Sequence, residues 1–174
     1  MGYENIVLVG FMGVGKTTVG RKLAKRLKKV FVDTDGEIEQ LVDMSTTQIF
    51  KTYGEKRFRS EETLMLRKLS RVRNSVISTG GGIVLNDVNR EIIRKIGTVI
   101  WLKASASSCI ARVGGGKGRP LLRSKNINNS VISLMEKREE LYRDLAHITV
   151  QTDNVNVDFV VETIIKKIEA INHE

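Results

Sequence analysis

Eight residues near the start of the chain fix most of what it can become. Residues 10–17 read Gly-Phe-Met-Gly-Val-Gly-Lys-Thr, the G-x-x-x-x-G-K-[ST] pattern of a phosphate-binding loop. Ile6-Val7-Leu8-Val9 ahead of it is a short apolar run of strand type. Val19, Leu23 and Leu27 behind it recur at helical spacing among lysines and arginines. Strand, glycine loop and helix in that order turn a string match into a site. Glycines let the backbone close around phosphates with its N–H groups pointing inward. A helix beginning near Lys16 adds unpaired N–H groups and the positive end of its dipole. Gly13, Val14, Gly15, Lys16, Thr17 and Thr18 are therefore the expected nucleotide contacts. Lys16 brings a full charge to the outer phosphates, and the Thr17 hydroxyl is suited to magnesium.

Further strand-like runs occur at Val30–Val32, Val76–Ser78, Val99–Leu102 and Ile148–Val150. Between and beyond them, helical patterns cover about 16–28, 36–52, 60–73, 87–96, 105–112, 128–145 and 157–171. The last carries Val157, Val160, Val161, Ile164, Ile165, Ile168 and Ile171, a stripe of period 3.6. Strands alternating with helices predict an α/β fold: a five-stranded parallel sheet inside three α/β/α layers. Ligands in such sheets bind at the carboxyl ends of the strands. No repeat, low-complexity tract or linker interrupts residues 1–174, so one domain is expected. A chain of 174 residues buries roughly 70% of its unfolded surface and needs no disulfide or structural metal.

The net charge of +9 admits two readings, a nucleic-acid-binding face or an enzyme for anionic substrates with a solvated basic surface. The densest basic run, Lys22 to Lys29, lies opposite the apolar stripe of the first helix and reads as its wet face. Aromatic residues are only 5%, too few for a base-stacking platform. Cys109 is the single cysteine, which fits a reducing compartment, and a cytoplasmic location is expected. The start shows no signal-peptide pattern. Gly2 is not followed by Ser or Thr at residue 6, and no run reaches the ~18 apolar residues of a membrane span.

Other segments carry chemistry. Asp33-Thr34-Asp35-Gly36 follows the second strand. Asp33 is placed to reach magnesium through water near Thr17, and Asp35 to take a proton from an acceptor hydroxyl. The plain alternative is a turn and a helix N-cap. The segment also mimics the DxxG of GTPases, but it lies too close to Lys16 for a switch loop, and no N-K-x-D follows. In Gly54-Glu55-Lys56-Arg57-Phe58-Arg59-Ser60-Glu61-Glu62, Phe58 can anchor the segment while Arg59 presents a planar fork to a carboxylate. The alternative is a cap with solvated charges. Ser78-Thr79-Gly80-Gly81-Gly82 puts three glycines at a strand's carboxyl end, where a ligand can touch backbone, or where the chain makes a tight turn. Gly114 to Pro120, with Arg112, Lys117, Arg119 and Arg123, reads as a mobile lid over about 112–124 that brings positive charge to a phosphoryl transition state. The bland reading is a surface loop. Lys137 to Arg143 taken alone is an ordinary charged helical face.

Taken together, G-F-M-G-V-G-K-T, D-T-D at 33–35, G-E-x-x-F-R-x-x-E at 54–62, T-G-G-G at 79–82, G-R-P-L-L at 118–122 and R-x-x-L-Y at 138–142 resemble the shikimate kinases in order and spacing. The resemblance implies a P-loop kinase fold of the nucleoside monophosphate kinase-like superfamily, with ATP and shikimate as substrates and Mg²⁺ as cofactor. It implies Asp35, Lys16 and Arg119 as catalytic. Arg112 joins the ATP contacts against the adenine, and Thr17 and Asp33 serve the metal. Asp35, Arg59, Gly80, Gly81, Gly82 and Arg138 would bind the acceptor across a helical segment of about 34–62, with Glu62 orienting Arg59. One departure is Glu140, which stands where the family often has Pro and bears on the helix start and on the approach of Arg138. A monomer without nucleic-acid or membrane partners is expected. The competing readings are a related kinase acting on gluconate or a nucleoside monophosphate, and a phosphate-loop module acting on nucleic acid.

Overall fold

The structure, a computed structural model, describes residues 5–113 and 127–172, with side chains from 5 to 113 and from 129 to 171. Five strands, β1 (Ile6–Val9), β2 (Val30–Asp33), β3 (Ser75–Ser78), β4 (Thr98–Lys103) and β5 (Ile148–Gln151), form one sheet in the order β2-β3-β1-β4-β5. Every neighbouring pair is parallel. All five carboxyl ends therefore lie on one edge, as alternation of strands and helices predicts.

Among the described residues seven helices complete the layers: α1 (Lys16–Leu27), α2 (Thr34–Val42), α3 (Thr46–Leu69), α4 (Asp87–Ile96), α5 (Ala106–Val113), α6 (Ile127–Leu145) and α7 (Val157–Asn172). Strand periodicity assigns the faces. Ile6 and Leu8 of β1 join Val19 and Leu23 of α1 and Val160, Val161 and Ile164 of α7 in one core. Val7 and Val9 join Phe58, Leu66 and Leu69 of α3, Ile93 and Ile96 of α4, and Tyr142 and Leu145 of α6 in the other. Cys109 is buried in the first core. Each fully buried aliphatic side chain contributes on the order of 1.5–3 kcal/mol.

The helical pattern expected over 36–52 is in fact two elements. Asp43, at φ 53°, ends α2. Ser45 then starts α3 through a capping box, in which its hydroxyl accepts from Gln48 N and Gln48 Oε1 accepts from Ser45 N. The helix expected over 60–73 begins earlier, because α3 resumes directly after a break at Gly54, with φ 81° and ψ 171°. Only glycine adopts that backbone without strain. A short 3₁₀ turn, Ile83–Leu85, follows the triple glycine and was not legible as an element. Among the described residues no helix is long and apolar enough to cross a membrane.

Candidate active site

The phosphate loop follows β1 and closes against the α5 side of the sheet. Gly13 has φ 81°, and a Cβ there would stand 2.7 Å from the Cys109 carbonyl, so the loop's approach to α5 admits no side chain at this position. The loop ends in Gly15, which precedes α1 at φ 96°. Neither a side-chain cap nor an acidic residue in the first turn occupies the N–H groups that open α1, leaving them available to an anion. The buried Lys16 ammonium donates to the carbonyls of Gly10 and Phe11 at 2.8 and 2.9 Å. Thr17 Oγ1 donates to Asp33 Oδ2 at 2.7 Å, bringing the end of β2 to the head of α1. Asp33 also caps α2, accepting from Gly36 N at 3.3 Å. The N-cap and magnesium readings of this aspartate are thus compatible, one for each oxygen.

Two cavities meet here. One, of about 810 Å³ and open to solvent, is lined by Gly13, Gly15, Lys16, Thr17, Thr18, Asp33, Ser78, Thr79 and Arg112. The other, of about 470 Å³, is lined by Phe50, Phe58, Arg59, Glu62, Gly80, Gly82 and Arg138. Met12, Asp35 and Gly81 line both. Asp35 thus stands at the junction of a phosphate cradle and an apolar, arginine-bearing pocket.

Backbone proximity builds the second pocket. Gly80 N donates to Thr34 Oγ1 at 3.1 Å, fixing the glycine turn to the start of α2. A Cβ on Gly80 would lie 2.6 Å from Asp35 Oδ1 and 2.8 Å from Glu62 Oε1, and one on Gly82 would collide with the Arg59 guanidinium. Gly80 and Gly82 therefore pack against three charged side chains, whose ends would have to shift to admit a side chain at either position. Arg138 is 2% exposed. Its Nη1 donates to Gly81 O at 3.1 Å, and its guanidinium lies over the Phe11 ring at 5.5 Å. The Tyr142 hydroxyl donates to the same Gly81 carbonyl, and burial pushes its pKa up.

Charge in this pocket is balanced by burial and pairing. Arg59 Nη1 donates to Glu62 Oε2 at 2.8 Å. Burial disfavours the Arg59 charge, but the Glu62 and Glu55 carboxylates outweigh it and raise its pKa. Glu62 is fully enclosed, and burial pushes it up to about 7 against the pull of Arg59 and Arg138, with Asp35 adding to the rise. Its Oε1 has no hydrogen-bond partner among the described residues.

The structure brings Asp33, Asp35, Arg59, Gly80, Gly81, Gly82 and Arg138 to the two cavities with the phosphate loop. Arg112 is exposed and donates to Thr152 O at 2.6 Å and Thr152 Oγ1 at 3.2 Å, which sets it on the rim of the phosphate cavity. Arg119 and most of the expected lid lie outside the described residues. Glu140 is exposed on α6, two residues from the buried Arg138. Sequence reasoning passed over Thr34 and Glu55. The i,i+4 spacing of Glu55 and Arg59 was the available signal for the latter.

A model of the shikimate kinase family matches residues 12–169. The chain belongs to the shikimate kinase family. A shikimate kinase from Pelotomaculum thermopropionicum is 45% identical over 170 residues, covering 98% of each chain. The solved shikimate kinase from Acinetobacter baumannii in complex with shikimate superposes with a TM-score of 0.95 at 36% identity, covering 98% of this chain and 96% of that one. A gluconokinase from Sinorhizobium meliloti shares the fold at TM-score 0.58 with 13% identity. The α/β class and the five-stranded parallel sheet expected from the sequence hold. The family match begins at residue 12, inside the phosphate loop, and takes in the D-T-D and F-R segments, the triple glycine and the α6 motif.

Proposed function

We propose that this chain is an ATP-dependent shikimate kinase, transferring the γ-phosphoryl group of ATP to the 3-hydroxyl of shikimate to give shikimate 3-phosphate and ADP, a step of aromatic amino-acid biosynthesis. The observation that carries the residue roles is Asp35 at the junction of the two cavities. A carboxylate there faces the acceptor hydroxyl on one side and the phosphates on the other, and can take the hydroxyl proton as the phosphoryl group moves. Arg59 and Arg138 hold the acceptor carboxylate, and Gly80, Gly81 and Gly82 form the wall against it. Positioning supplies much of the catalysis in such transfers.

The N–H groups of Gly13, Val14, Gly15 and Thr18 cradle the phosphates with Lys16, which exchanges the Gly10 and Phe11 carbonyls for phosphate oxygens. Arg112 borders the nucleoside. Arg119 from the lid neutralises transition-state charge. Thr17 Oγ1 and Asp33 Oδ2, 2.7 Å apart, are hard oxygen donors on the rim of the phosphate cavity, a set that fits Mg²⁺ completed by phosphate and water. When bound, that ion supplies charge neutralisation to the outer phosphates. A cytoplasmic monomer binding neither nucleic acid nor membrane completes the reading.

The test is ADP release with Mg-ATP and shikimate, beside gluconate, CMP and AMP under the same conditions. Turnover with shikimate alone is expected. Turnover with another acceptor only, or with none, overturns the acceptor assignment.

A further inference from the structure

Thr152 directly follows β5, is 3% exposed, and joins three segments on the nucleotide side of the site. Its N–H donates to Lys103 O at 2.8 Å, carrying the β4–β5 pairing one residue further. Its hydroxyl lies 3.2 Å from Val14 O in the phosphate loop and 3.3 Å from Lys103 O. A hydroxyl has one proton to give. Lys103 O already receives the Thr152 N–H, so the nearer Val14 O takes it. The hydroxyl accepts in turn from Arg112 Nη1 at 3.2 Å, and Arg112 Nη2 donates to Thr152 O at 2.6 Å. Arg112 thus grips two oxygens of one residue, a two-pronged contact that a point charge on a flexible stem does not reproduce.

The next residue fastens the other end of the same helix. Asp153 Oδ2 accepts from Ser105 N and Asp153 Oδ1 from Ser105 Oγ, both at 2.9 Å. Ser105 precedes α5, and Arg112 lies near its end. Thr152 and Asp153 together therefore hold both ends of the helix whose Cys109 carbonyl packs on Gly13. A cavity of about 720 Å³, lined by Val14, Thr152, Val155 and Val160 among others, opens beside the phosphate cavity. Gly15, Thr18 and Arg112 line both. An arginine that only capped α5 would turn to that helix's own carbonyls. The bonds of Arg112 cross instead to residues 13, 14 and 152.

We propose that Thr152 is a positioning residue of the nucleotide site, its hydroxyl tying Arg112 to the Val14 carbonyl and so holding the guanidinium where the nucleoside meets the phosphate loop. The inference rests on the reading that Arg112 borders the nucleoside. Arg112 is exposed, and a long side chain loses rotamer freedom when a ligand fixes it. A contact that already holds it removes part of that cost from nucleotide binding. Asp35 does not line the cavity beside Thr152, so the effect belongs to nucleotide binding rather than to the chemical step. One net hydrogen bond shifts such an equilibrium about two- to tenfold.

The experiment is calorimetric titration of the full chain with ADP, beside steady-state kinetics in ATP and shikimate. The proteins compared are the unmodified chain, Thr152→Val, Thr152→Ser, Arg112→Lys, Arg112→Ala and the double variant Thr152→Val with Arg112→Ala. Valine keeps the shape of threonine without its hydroxyl. It should raise Kd for ADP and KM for ATP about two- to tenfold, with kcat and KM for shikimate within about twofold. Serine keeps the hydroxyl and should stay within about twofold of the unmodified protein. Arg112→Lys keeps the charge without the two-pronged contact and should weaken ADP as Thr152→Val does, so it carries the test even where the valine variant does not fold. In the Arg112→Ala background, Thr152→Val should add less than about twofold, because its effect passes through Arg112. Unchanged ADP affinity in Thr152→Val or Arg112→Lys, a serine variant as weak as the valine one, or full additivity in the double variant overturns the positioning role. ADP affinity unmoved in Arg112→Ala removes Arg112 from the nucleotide and overturns the underlying reading before Thr152 is compared.

Discussion

Thr17 Oγ1 and Asp33 Oδ2 lie 2.7 Å apart across the junction of α1 and β2. Neither element's local pattern requires the other. Parallel pairing sets β2 beyond β3, and the turn into α2 returns its last residue to the phosphate loop. The same aspartate caps α2 with its second oxygen.

That division of labour makes Asp33→Asn informative. Asparagine caps a helix about as well as aspartate, so stability should change little. The loss of a charged oxygen should raise the Mg²⁺ concentration for half-maximal activity by roughly tenfold or more. A magnesium titration of activity measures this, and an unchanged midpoint would remove Asp33 from the metal's surroundings.

Asp35→Asn retains the side chain's shape and removes its basicity. General-base catalysis contributes about 10²–10⁴ in rate, so kcat should fall by that order while the Kd for ATP stays within about twofold. Near-normal kcat would show that the acceptor proton leaves by another route.

Gly80→Ala tests position rather than charge. The added methyl would meet Asp35 Oδ1 at 2.6 Å and Glu62 Oε1 at 2.8 Å, and both carboxylates must move to admit it. Displacement of a catalytic group by about 1 Å costs on the order of 10² in rate. Turnover with shikimate should drop by about that factor with ATP binding preserved. Retained turnover would mean that the carboxylates relocate without consequence.

Glu62 gives a pH signature. Burial raises its pKa from 4.5 to about 7 in the folded chain, despite Arg59. The native state therefore holds a proton that the unfolded chain has lost between those values. The stabilisation is fully present below pH 4.5 and is lost as pH rises through about 7. Glu62→Gln lacks this titration, so across that interval the unmodified protein should lose about 3 kcal/mol relative to the variant. Urea unfolding of both proteins at several pH values reads the difference directly. A difference that stays flat, or runs the other way, would refute the buried, proton-holding Glu62.

Much of the fold was legible locally. Ile6–Val9, the glycine loop and the α1 stripe announce themselves within about twenty residues, and the alternation of strand and helix implies a parallel sheet. The break in the second helical region was less visible. Ser45 and Gln48 carry a capping-box signature, and Gly54 permits the interruption, but apolar periodicity runs across both and suggested a continuous helix. In the candidate site, Asp33 and Asp35 could be read as cap or as chemistry, and the structure places a cap and a candidate metal contact on one residue.

The sequence by itself determined the phosphate loop, the layer architecture and the order of the motifs, because those depend on backbone freedom and on side-chain period over a few residues. Only the tertiary structure decided which motifs share a pocket. Arg138 lies 57 residues from Gly81, and on its own helix it is one charge among several. It becomes a buried pocket residue because α6 packs on the β4 side of the sheet and turns that face toward the triple glycine. Contacts across such separations depend on strand order and packing, which no local pattern encodes.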